Sequence, residues 1–416
     1  MVFLPRRSEE KSHSVVHGRE TQRGILEGTE MKKIAGRIPK NVLVLGVVSF
    51  LTDASSDMIY PLLPLFLSEV LGAGTLFIGL IEGVAESTAS ILKIYSGWLS
   101  DRLAKRKLLV ALGYGLAALA KPLLSLTGAA WQVLILRFAD RAGKGVRTSP
   151  RDALIADSTE LRSRGISYGF HRAMDSAGAV LGPLLAFLIL PLVNRNYRIL
   201  FLIASVPAVL AVMILLVLLR EKKASEEPAA AKVRLSFAGF DRRFRVFILA
   251  VAVFTLGNSS DAFLLLRARD LNVGVVYVPL LWVVMHLVYS LVSSPAGALS
   301  DRIGRKNLIV SGLLVYVAVY VGFALAARSV HVWLLFASYG LYYGLADGNM
   351  RAFVADLVGE EKRGLAFGLY HGAVGLTALP ASLIFGWVWQ WAGAPAAFGL
   401  GAGLALLATL ILAVGL

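Results

Sequence analysis

The stretch GWLSDRLAKRK at residues 97–107 returns 200 positions later as GALSDRIGRKN at residues 297–307. Each copy closes a long apolar run with an acid and then a cluster of bases. Two further matches keep the same order: SSD at 55–57 returns at 259–261, and RGISYGFH at 164–171 has a counterpart in RGLAFGLYH at 363–371. Three matches at nearly constant displacement predict two equivalent halves with a binding site at their interface.

The runs between these landmarks have membrane length. An α-helix needs about 20 apolar residues to cross about 30 Å of hydrocarbon. Such segments are expected at roughly 41–71, 75–100, 108–127, 131–156, 166–191 and 197–219, and again at 246–270, 275–299, 307–327, 332–356, 364–390 and 394–416. The fold expected is therefore an all-α membrane protein of 12 transmembrane helices in two pseudo-symmetric six-helix bundles. It comprises a tail at 1–40, bundles at 41–219 and 246–416, and a connector at 220–245. The composition agrees, with 57% hydrophobic and 17% charged residues among 416 and a mean hydropathy of +0.69. The tail has no apolar core or cleavage pattern of a signal peptide and reads as disordered.

Charge sets the orientation. With the N-terminus cytoplasmic, the tail, the connector and the loops on that side hold about 28 Lys and Arg, against about three opposite, among them Arg195, Arg198 and Arg328. Bases gather on the cytoplasmic side. Both termini are thus expected there, in a multi-pass protein of a bacterial inner membrane. The net charge of +15 is explained by these loops rather than by nucleic acid.

The paired loops on a six-plus-six chain resemble the hallmark loop of the major facilitator superfamily, over residues 41–416. In the second copy Gly297, Asp301, Arg302, Gly304 and Arg305 fit closely; in the first, Gly97, Asp101 and Arg102 fit, with Ala104 in a glycine place. The resemblance implies cytoplasmic gate latches and rocking of two halves. In the fifth segment Gly178, Gly182 and Pro183 resemble the family's antiporter motif, with Ala186 in one glycine place, which implies export. Small residues spaced by four also let helices approach closely.

Eight of the 21 residues in RFADRAGKGVRTSPRDALIAD, 137–157, are charged inside the fourth segment. A lone base at mid-bilayer costs about 2.5–3.5 kcal/mol on insertion scales, so these side chains need partners or a wet cavity. Candidates for one charge network are Arg137, Asp140, Arg141, Lys144 and Arg147, with Asp53, Asp57, Glu82, Glu86 and Asp175 at matching depth. Asp53/Asp57 and Glu82/Glu86 are each spaced i, i+4 and share a helical face. Arg141 and Gly145 match the family's R-x-x-q-G motif, whose Arg is implicated in proton transfer, while Lys144 and Arg147 depart from it. Three accounts stay open: buried pairs that fix helix register, a proton relay through Asp57 or Glu86, and an anion site at Lys144 and Arg147.

The second half offers Asn258, Asp261, Trp282, His286, Tyr289, Tyr342, Tyr343 and Asp347 as candidate substrate-cavity residues. His171 and His371 read as packing residues. No spaced metal-ligand cluster, phosphate loop or nucleophile motif is present, so no metal, cofactor or enzymatic reaction is expected. The preferred reading is a monomeric transporter in the lipid bilayer, proton-coupled and exporting a small organic solute. The alternatives are an anion symporter or facilitator and, from another class, a non-transporting receptor or scaffold on the same fold.

Overall fold

The computed structural model describes residues 38–103, 105–160, 163–221, 239–359 and 362–416, without the side chains of Trp98, Asp101, Arg102 and Leu103. The tail through residue 37, most of the connector, and the side chains of the first gate pair, Asp101 and Arg102, lie outside that description. The described residues form helices and no strands.

The helices are α1 (Lys40–Ile59), α2 (Thr75–Leu103), α3 (Arg106–Ser125), α4 (Ala130–Asp157), α5 (Arg164–Leu192), α6 (Tyr197–Leu218), α7 (Arg242–Gly257), α8 (Ala262–Asp270), α9 (Val278–Ile303), α10 (Arg305–Leu325), α11 (Ser329–Asp356) and α12 (Arg363–Gly415). Nine helical spans among the described residues are long and apolar enough to cross a membrane, α7 and α8 counting as one. α12 runs for 53 residues and bends at Gly393, where φ of 84° suits a residue without a Cβ; Pro395 follows. Helices α4 and α11, 28 residues each, have crossing length with more polar composition.

Two segments differ from the sequence expectation. The first stays helical to Val70, but Pro61 and Pro64 change its winding to a 3₁₀ turn at Tyr60–Leu62 and a π turn at Phe66–Val70. The seventh, expected unbroken over 246–270, is interrupted between Gly257 and Ala262. The cause is the run Asn-Ser-Ser-Asp. Asn258 leaves helical geometry and its Oδ1 accepts from the Tyr316 hydroxyl at 3.2 Å, while Ser260 Oγ accepts from the Ala262 N–H at 3.3 Å. Short polar side chains offer the backbone such alternatives to helix.

The halves share a packing scheme. In the first, α1 packs on α5 and α6, and α4 on α2 and α3; in the second, α7 packs on α12, and α11 on α9 and α10. Between halves, α2 meets α12 and α5 meets α9. Small residues make the α2–α12 contact close: a Cβ on Gly83 would lie 3.0 Å from Leu379 Cα, and Ser87 Oγ donates to the Gly375 carbonyl at 2.6 Å. Large apolar side chains such as Leu126, Leu291 and Trp391 point outward, more than 70% exposed, as a bilayer-facing surface requires.

Candidate functional site: a charged cavity between the halves

The site begins with a close approach of two helices. A Cβ on Gly145 of α4 would sit 2.7 Å from Leu92 Cβ and 3.0 Å from the Ala89 carbonyl of α2, so only glycine admits this contact. The approach aligns two acid–base rungs. Arg137 grips Glu82 through Nε and Nη2 at 2.8–3.2 Å, and both side chains are almost fully buried. One turn on, Arg141 lies 3.8 Å from both Glu86 and Asp140, and Asp140 also lies 3.7 Å from Arg137. The Tyr60 ring covers both guanidinium groups at 5.3 and 5.9 Å.

The rungs form one wall of a cavity of about 600 Å³. Of the expected network, Asp53, Asp57, Glu86, Arg137, Asp140, Arg141, Lys144, Arg147 and Asp175 line it; Glu82 stands behind Arg137. Asp53, Asp57 and Lys144 have no ion-pair partner within 4 Å among the described residues. Arg147 likewise has none and stacks on Tyr114 at 4.2 Å, with Nη1 unbonded. Asp175 lies 3.5 Å from His171.

From the second half, Asp261, Trp282, His286 and Tyr289 line the cavity. Asn258, Tyr342, Tyr343 and Asp347 stand outside that lining: Asn258 holds the helix break, Tyr342 is buried among aromatic rings, Tyr343 reaches Asp261, and Asp347 is paired with Arg351. Sequence reasoning missed Arg351, which reaches the cavity together with Lys93, Arg151 and Arg172. At the displacement of 199 that relates the end of α4 to the end of α11, Arg351 stands opposite Asp152, so the repeat carried no signal for a base there. Lys121 was also missed. It is buried in α3, with Nζ donating to Ser55 Oγ at 2.9 Å and the Thr52 carbonyl at 3.3 Å, behind the helix that carries Asp53 and Asp57.

The two halves are linked at the face away from Lys40 and Leu416. There Arg269 of α8 donates to Glu69 at 2.8 Å across the halves, and Tyr197 donates to the other Glu69 oxygen at 2.7 Å. Below that link Tyr60 packs against Trp282 at 5.1 Å, and the lining runs from these rings toward Asp152 and Arg351, on the side that carries Lys40 and Leu416.

At that terminal side the described bases of the repeated loops bond to neighbouring helix ends. Arg106 pairs with Asp157 at the end of α4, and Arg305 pairs with Asp356 at the end of α11. Lys107 donates to the Leu219 carbonyl at 2.6 Å and Lys306 to the Ala413 carbonyl at 2.9 Å. The structural displacement is thus 199, because the first loop has one residue more than the second. Asp301 is 71% exposed, with Arg305 at 3.7 Å, while Gly304 at φ 89° makes the tight turn. Arg302, beside it, is exposed. A Cβ on Gly97 would lie 3.6 Å from Ser149 Cβ of α4, and one on Gly297 would meet nothing within 4 Å. Gly178, Gly182 and Pro183 are buried in α5 against α1: a Cβ on Gly178 would meet the Phe50 carbonyl at 2.5 Å and Asp53 Cβ at 3.1 Å.

Two long-helix halves with matching packing and a polar cavity between them define the arrangement, and comparison with known proteins decides the family. The family model of the Major Facilitator Superfamily matches residues 45–346 and, in a second match, 246–416. The chain belongs to the major facilitator superfamily. An MFS-type transporter of Methanocaldococcus jannaschii is 40% identical over 361 residues, covering 85% of this chain and 89% of that one. Multidrug resistance protein MdtG of Escherichia fergusonii is 25% identical, over 77% and 79% of the two chains. Among solved structures, a nucleoside transporter, NupG, superposes with a TM-score of 0.73 at 13% identity, over 90% of this chain and 99% of that one. As a member of this superfamily the protein is a multi-pass integral membrane protein of a transporter family, whose partners are a small-molecule substrate and the lipid around it.

Proposed function

We propose that this member of the superfamily exports a small organic solute by alternating access, driven by proton movement into the cell. The observation that carries the reading is the pair Asp53 and Asp57, which face the cavity from α1 without an ion-pair partner. An intramembrane carboxylate without a countercharge is costly, and it exchanges protons or binds cations rather than serving as packing. The locked Glu82–Arg137 rung then takes the structural role, Arg141 with Glu86 and Asp140 remains free to exchange partners, and Asp57 is the proton site. The Glu69–Arg269 seal and the cavity below it fit a state closed on one side, with the terminal face, taken as cytoplasmic, giving access. The resemblance to MdtG and the glycine contact between α5 and α1 support efflux.

Comparing a deletion strain with its complement, by extracellular metabolite profile and by susceptibility to a toxic-compound panel, identifies the solute. Asp57→Asn is then expected to abolish accumulation against a gradient in vesicles while leaving downhill exchange in place. Concentrative transport persisting in that variant under an imposed pH difference would remove Asp57 from the coupling role.

An anionic solute is the second reading. It is favoured by Lys144 and Arg147, which lack carboxylate partners among the described residues. Greater loss of transport from Lys144→Gln than from Asp57→Asn in downhill exchange would support it.

A further inference from the structure

Asp261 sits in the break between α7 and α8, at the N-cap of α8. Tyr339 donates to Oδ1 at 2.6 Å and Tyr343 to Oδ2 at 3.4 Å, so two neutral hydroxyls fix its orientation. No base lies within ion-pair distance among the described residues. The other acid of this half near the cavity, Asp347, is already paired with Arg351. The carboxylate opens to the cavity, whose adjoining wall is aromatic: Tyr60 meets Trp282 at 5.1 Å, and Trp282 meets His286 edge-on at 5.5 Å. A second observation points to a ligand. Trp282 is only 4% exposed, it lines the cavity, and its indole N–H is buried without an acceptor.

A fixed negative charge beside aromatic faces, with one unused donor, is the chemistry that holds an organic cation. The carboxylate supplies the countercharge, the aromatic ring attracts the cation through its face, and the indole N–H takes an acceptor on the same molecule. The Tyr60 ring is already taken by the guanidinium groups of Arg137 and Arg141, so the aromatic partner for a further cation is Trp282. Those two groups have Glu82, Glu86 and Asp140 as countercharges, which leaves Asp261 uncompensated.

We propose that Asp261, with Trp282, is the seat for the ammonium group of an aromatic or similarly flat amine substrate. This rests on the transport reading for its biological sense, but binding to the seat requires no gradient. The test uses the full-length protein purified in detergent and three probes of similar shape in calorimetric titration: 2-phenylethylamine, neutral 2-phenylethanol and anionic 3-phenylpropionate. The amine is expected to bind about tenfold or more tightly than either relative, the scale of one hydrogen bond to a charged group. Asp261→Asn is expected to erase that advantage and leave 2-phenylethanol unchanged. The proposal is overturned if the amine does not bind, if the alcohol or the anion binds as well, or if Asp261→Asn leaves amine binding intact. Should that variant not fold, Asp53→Asn and Asp57→Asn decide in its place: an amine advantage that either one erases belongs to that acid and overturns the proposal, and an advantage that survives both supports it. A preference for 3-phenylpropionate would point to Lys144 and Arg147 instead. Loss of coupling in Asp57→Asn is a separate readout, so failure of the proton-driven reading leaves these titrations interpretable.

Discussion

Removing Glu82 tests which part of the charge network is scaffold. In Glu82→Gln, Arg137 keeps its charge in a pocket where its side chain is 6% exposed; it loses its countercharge and the 2.8 Å Nη2–Oε2 contact, while the amide oxygen can still accept from Nε and Nη2. Breaking a buried pair on one side costs about 3–5 kcal/mol, and near-complete burial leaves no solvent screening to discount. Asp140 at 3.7 Å and the Tyr60 ring compensate in part, so the lower end, about 3 kcal/mol, is expected. Replacing both partners by apolar groups of similar size, Glu82→Leu with Arg137→Met, removes the desolvation cost as well. That double variant is expected to lie within about 1 kcal/mol of the parent. The assay is SDS-induced unfolding in mixed micelles, followed by tryptophan fluorescence, on the parent, Glu82→Gln, the single variants Glu82→Leu and Arg137→Met, and the double. A Glu82→Gln cost below about 1 kcal/mol, or a double variant as unstable as the two singles summed, would refute the assignment of this rung as a locked pair. Transport by the stable double variant then separates the roles. Retained accumulation leaves the rung structural, and lost accumulation puts it in the relay.

Two further outcomes follow from the same geometry. Glu69→Gln removes the charged link from Arg269 to the first half; each side chain is about a third exposed, so after solvent screening the effect is set at about 1 kcal/mol, a roughly fivefold shift toward the state open on that face. Maleimide labelling of a single cysteine placed near Trp282 should rise accordingly, and unchanged labelling would show that the pair is no latch. Gly178→Val drives its Cβ into the Phe50 carbonyl and is expected to cost about 1–3 kcal/mol by overpacking, whereas Gly169→Ala on the same helix meets nothing within 4 Å and should be silent; equal melting temperatures for the two variants would contradict the close α1–α5 approach.

Family and overall fold were legible in the sequence because they rest on local, periodic information. Apolar length forces helices in a solvent that cannot bond a free backbone, and the repeated loops at 97–107 and 297–307 declare the duplication. The i, i+4 spacing of Glu82/Glu86 likewise put both acids on one helical face before any contact was known. Tertiary structure alone decided which charges pair. Helix periodicity fixes the face of Asp57 and Lys144 on their own helices, but the register between helices depends on close contacts such as Gly145 against Ala89. The same limit hid Arg351: its depth in α11 was readable, while its reach into a cavity built largely from the other half was not. The break before Ala262 shows the reverse case, where a polar run of four residues outweighed an apolar segment because Tyr316 and Ser260 satisfied the freed backbone and side-chain groups. A one-dimensional pattern carries helix identity and face; the distances that turn Asp261 into an unpaired carboxylate and Glu82 into a locked one arise only when helices distant in sequence are packed together.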